Sequence, residues 1–181
     1  ATFFLMPEIR GGNWIEGMLE KASITRRAYE AIAELHGLEL DHDLTLPDPT
    51  PDSLEASGLR KLIADIGRLP TSSAFADWER DLLGAIPDFL LNYTRYRNWF
   101  EAVSRTDIEA FLGESFDDLA AADAAIQARI DTDDPADDHE LVRLMHRRML
   151  RLSMITAGTN PDETNPFFYV LEPVIDRERD E

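Results

Sequence analysis

Apolar residues recur three and four positions apart along most of this chain, a spacing that predicts helices almost throughout. After Gly11-Gly12-Asn13, the run Trp14, Ile15, Met18, Leu19 and Ala22, then Ala28, Tyr29, Ile32 and Leu35, marks an amphipathic helix broken near Ser23 and stopped at Gly37. Residues 38–52 hold three prolines and no helical period, which predicts an ordered loop. Asp52 with Glu55 reads as a capping box for a second helix to about Gly67, and Ser72 or Ser73 caps a third through Trp78, Leu82 and Leu83. Pro87 stands where a first-turn proline would open a fourth helix, which runs to about Ser104. Thr106 with Glu109 predicts another start, interrupted at Gly113 and resumed around Ser115 and Asp118. Asp133-Asp134-Pro135 closes that helix, and Asp137 with Glu140 caps a last long one to about Ala157-Gly158.

These signals agree on an all-α fold: one acidic helical domain over residues 1–181, a bundle of about five to seven helices. Residues 38–52 form its Pro-rich loop and 159–181 a C-terminal extension. The two ends depart from the helical pattern. Thr2-Phe3-Phe4-Leu5-Met6 and Pro166-Phe167-Phe168-Tyr169-Val170-Leu171 are short, aromatic and extended in character. They are expected to pair as a small ribbon, to dock on the bundle, or to pack on a second subunit.

Charge changes the picture most. The chain carries 36 acids against 18 bases, and only two of those bases are lysine, for a net charge of −18. Such acidity with so little lysine suits a cytoplasm of high ionic strength, where self-repulsion is screened. The 44% hydrophobic content is ordinary for a globular protein, so the acidity belongs to the surface and is no sign of disorder. With no cysteine there is neither disulfide nor thiolate chemistry. No apolar run approaches the roughly 20 residues that cross a bilayer, and the first residues lack the form of a secretory signal. The expected location is therefore cytoplasmic. Nucleic acid and membrane are not expected partners, because both bind through cations that neutralise phosphates.

One segment runs against the trend. Residues 41–138 carry 22 acids and 8 bases, whereas residues 139–161 carry one acid and four bases, a net +3. On a helix, Arg143, Arg147 and Arg151 line up at intervals of four, with His139 and His146 between that stripe and the apolar arc. Arg148 falls inside the apolar arc, where it must extend its stem outward or meet a carboxylate. Read functionally, Arg143, Arg147, Arg148, Arg151 and His146 bind an anionic ligand or an acidic partner. Read structurally, they pair with the neighbouring acidic helices.

Tyr93 and Tyr96 belong to an aromatic stripe with Phe89, Phe100 and Val103, flanked by Arg95 and Arg97. Stacking platforms look like this, but so does an ordinary helix core. Asp133-Asp134-Pro135-Ala136-Asp137-Asp138 superficially matches the DDxxD pattern of magnesium diphosphate sites. A proline in its middle and its place between helices make it a solvated acidic turn instead. His139 and His146 lie about 10 Å apart along a helix axis, too far to share one metal ion.

No nucleophile elbow, phosphate loop or dinucleotide fingerprint is present, and neither cofactor nor metal is expected. The expectation is a non-catalytic accessory or interaction protein, a small subunit or assembly factor that meets another protein or itself. The alternative is a ligand-binding or enzymatic bundle, with Arg148, Tyr93, Tyr96 and His146 around an internal pocket for an anionic small molecule.

Overall fold

The computed structural model describes residues 14–41, 45–51 and 53–157, and these form five helices and no strand: α1 (Trp14–His36), α2 (Leu54–Ile66), α3 (Ala74–Leu112), α4 (Leu119–Ile130) and α5 (Asp138–Ala157). The chain is thus an all-α bundle, with caps of the expected kind. Ser53, Ser73 and Asp118 each accept a hydrogen bond from the backbone N–H three residues on, at 3.2, 3.2 and 2.8 Å. Gly37 and Gly113 close α1 and α3 with φ of +64° and +70°, the left-handed region that glycine enters without strain. The Leu38 N–H then reaches back to the Ala33 carbonyl at 2.8 Å.

Helix boundaries depart from the sequence expectation at four points. α1 runs unbroken through Ser23. The α2 cap is Ser53, while Asp52 lies outside the described residues. Pro87 does not open a helix but sits buried within α3, which at 39 residues joins what read as three separate helices. A proline removes one backbone donor and crowds the carbonyl four residues back. The helix continues because Leu82 and Ala85 before the proline and Phe89 and Phe100 after it belong to one apolar cluster, which a break would divide. Thr106 and Glu109, finally, make no capping box. The Glu109 carboxylate accepts the Phe116 N–H at 2.9 Å, so it secures the turn after α3.

α1 and α5 pack antiparallel, with Glu30 beside His146 and His36 beside His139. α3 is the spine, contacting α2, α4 and α5. One apolar cluster joins Phe89 and Phe100 to Ile155 and Leu152 of α5. A second joins Ile108 to Ala122, Ile126 and Leu144, and Leu119 touches both. Among the described residues no helix is long and apolar enough to cross a membrane. The two aromatic end segments and the 159–181 extension lie outside the described residues.

Ile108 is wholly buried. Ile108→Ala should lower unfolding stability by about 2–5 kcal/mol in urea titrations, whereas Leu54→Ala, at a position 87% exposed, should change it by less than about 0.5 kcal/mol.

Candidate functional site

The basic face of α5 meets carboxylates at nearly every turn. Arg147 Nε and Arg151 Nη1 both reach Asp107 Oδ2 on α3, at 3.3 and 2.6 Å. Arg148, the residue inside the apolar arc, forms a two-pronged pair with Asp123 of α4, Nη1–Oδ1 at 2.5 Å and Nη2–Oδ2 at 2.8 Å. Arg143 pairs with Glu140 on its own helix and donates to the Glu39 carbonyl at 3.3 Å. All four arginines therefore lie against acceptors of their own chain, three of them binding α5 to α3 or α4.

His146 points the other way. It is completely buried against α1, with Nε2 3.5 Å from Glu30 Oε1. Glu30 also meets Arg26 and Arg27, both at 3.2 Å, and Arg27 reaches on to Glu34 at 2.9 Å. Arg27 is 9% exposed, and its hydrogen bond to Glu34 above all, with Glu30 adding to it, holds its pKa above the usual arginine value against the opposing effect of burial. The α1–α5 contact thus contains a charged row in which cations and anions alternate.

Tyr93 and Tyr96 join the apolar cluster around Phe89, Phe100 and Ile155. The Phe89 and Tyr93 rings stack with centroids 5.7 Å apart, and burial raises the Tyr93 hydroxyl pKa, with the Glu101 charge adding to it. Arg97 is paired with Glu101 at 2.7 Å. Most of the acidic run, residues 133–137, is a turn held by Arg129, which pairs with Asp134 and Asp137, while Asp138 opens α5. No group of three or more metal-ligating side chains comes together among the described residues.

Two features were not visible in the sequence pattern. One is an open cleft of about 320 Å³ where the C-terminal end of α1 meets the start of α5. Ile32, Leu38, Ile130, Leu141, Val142 and Met145 make its apolar walls. Tyr29, His36, Asp138 and His139 supply its polar groups, the two imidazoles 6.4 Å apart between centroids. His36 and His139 are separated by most of the chain, so no local spacing links them. Burial raises the pKa of the Tyr29 hydroxyl in this cleft.

The other is the free end of the α2–α3 hairpin. A side chain on Gly84 would lie 3.8 Å from Ile66 at the end of α2, so Ala74–Leu83 of α3 extends about 15 Å beyond α2. The 67–73 loop accompanies it, and from that loop Thr71 Oγ1 donates to Asp77 Oδ1 at 2.5 Å. On that projection Phe75 and Trp78 are 63% and 53% exposed, their rings 5.7 Å apart.

No family model matches the chain, and neither the curated proteins nor the solved structures hold a match to it.

Asp107 serves two arginines, one of them only 7% exposed. Asp107→Leu should cost roughly 3 kcal/mol by leaving Arg151 buried without its carboxylate, and Asp107→Leu/Arg151→Leu should recover most of that loss in urea titrations. Because the folded Tyr29 pKa lies above 10.0, its stabilising contribution is full below about pH 10 and is lost as pH rises through the folded value. Thermal melts of Tyr29→Phe should accordingly fall less steeply above pH 10 than those of the native chain.

Proposed function

We propose that this chain is a non-catalytic interaction protein, a small subunit or assembly factor that acts by surface contact in a high-salt cytoplasm. One observation carries the reading: the apolar stripe that forms the core along α3 continues past its neighbours to an exposed Phe75 and Trp78. Large aromatics exposed side by side on a projecting helix are a feature of contact surfaces. The partner face proposed here is that hairpin end, and not the arginine stripe of α5, whose guanidiniums lie against carboxylates of the same molecule.

A second reading has the cleft in its favour. Its size falls at the low end of small-molecule sites, and apolar walls with a few converging polar groups are what such sites present. The ligand would be a small, largely apolar molecule whose polar end meets Tyr29, His36 or His139. It would not be an anion gripped by Arg148, because that arginine faces Asp123.

Purification at multimolar KCl followed by mass measurement distinguishes the two. Contact function predicts a stoichiometric protein partner or a second copy; a monomer at every concentration, stabilised on heating by a small apolar acid or amide and no longer so in Met145→Trp, would favour the cleft. Adaptation to salt predicts that the melting temperature climbs as KCl is raised, since screening relieves a net charge of −18. A melting temperature indifferent to salt would remove that part of the reading.

A further inference from the structure

We propose that the projecting end of the α2–α3 hairpin is a self-association face, covered in solution by the same end of a second copy of this chain. This rests on the reading of the molecule as an interaction protein and names the surface and its occupant.

The first support is continuity of the apolar stripe. Phe75, Trp78, Leu82, Ala85 and Phe89 follow one another at intervals of three and four, hence on one side of α3. Leu82, Ala85 and Phe89 pack in the cluster that includes Phe100 and Ile155, whereas Phe75 and Trp78 extend the same stripe beyond that cover. α2 leaves the pair uncovered because it ends at Ile66, opposite Gly84. Of the 13 residues of α2, only Ala56 is buried, so this helix too lacks a full packing layer.

The second support is charge. Residues 54–86 contain five acids and four bases, a net −1 in a molecule of net −18. Lys61 and Arg68 both reach Asp65, and Arg80 reaches Asp77 and Asp81, so the charges of the hairpin are matched locally. Two copies of an acidic molecule repel wherever ordinary faces approach. This hairpin is where they can meet without adding like charge to like. A two-fold contact must also be complementary to itself, and a surface of almost no net charge satisfies that, since neither copy brings an excess of either sign. A face built for a strongly basic partner would instead carry an excess of acid.

Magnitude sets the expected strength. A fully buried aromatic side chain covers about 150–250 Å², and with Phe75 and Trp78 63% and 53% exposed, four rings leave about 350–600 Å² for the contact. That falls well short of the roughly 1,200 Å² where stable interfaces begin, which predicts a weak, reversible dimer, tighter at high salt where the net charge is screened.

The test is light scattering and sedimentation on the full chain at multimolar KCl, over a hundredfold range of concentration. The expected result is a shift from 20.5 kDa toward twice that mass as concentration rises. Trp78→Glu should hold the protein at the monomer mass with unchanged helical circular dichroism. Lys61→Glu/Arg68→Glu alters two side chains that are 74% and 72% exposed and takes the hairpin from −1 to −5. It should weaken dimerisation at least tenfold, and more in low salt than in high. A dimer that survives both variants would overturn the assignment of the face while leaving an interaction protein standing. A monomer that retains a different protein through purification would do the same. A monomer that retains nothing would end both. Blue-shifted Trp78 emission in a Trp14→Phe/Trp99→Phe background at concentrations where the chain is monomeric would mean that another part of the same chain covers the face, and would also overturn the proposal.

Discussion

The bundle depends on the fit between the guanidiniums of α5 and the carboxylates of the helices around it. In a chain with twice as many acids as bases, helices repel unless a cation stands where they cross. α5 supplies three such cations: Arg147 and Arg151 converge on Asp107 of α3, and Arg148 closes on Asp123 of α4. On its other side His146 faces Glu30 of α1, within a row that Arg26 and Arg27 complete. The one basic segment of the chain is thus placed at the centre of the acidic ones.

Such pairing acts more on specificity than on stability. Removing charges from water costs nearly what their attraction returns, so half-buried pairs add modest net stability when intact and a large penalty when broken. Their consequence is register. If α5 slid by one turn, Arg148 would lose Asp123 and the two arginines would lose Asp107, while the apolar arc could still find contacts. The apolar work falls to the two clusters on α3, around Phe89–Phe100 and around Ile108, linked through Leu119.

The hairpin end is built on opposite terms. It has almost no net charge, its ion pairs are local, and its aromatic residues face outward. The molecule therefore combines a strongly acidic body, whose α5 arginines are paired internally, with a nearly neutral projection. High salt would screen the repulsion of the first, and on the proposed reading that same screening would let two copies approach through the second.

Local signals were legible in the sequence wherever their physics is local. Ser73, Asp118, Gly37 and Gly113 act over one turn of chain, and each helix end they mark is found. The aromatic stripe through Tyr93 and Tyr96 read as core because helical periodicity places it on one face, and it packs as core. Pro87 and Thr106 misled for the same reason: their local preference for a helix start is real, but it yields to a cluster of side chains on both sides of the proline. Which carboxylate each arginine would meet, and that His36 and His139 would share a cleft, no spacing could specify. Those outcomes depend on residues far apart in sequence, brought together by the packing of whole helices. The sequence by itself determined a helical, acidic chain with one basic helix. Only the tertiary structure decided that this helix faces inward, and that the end of another is left bare.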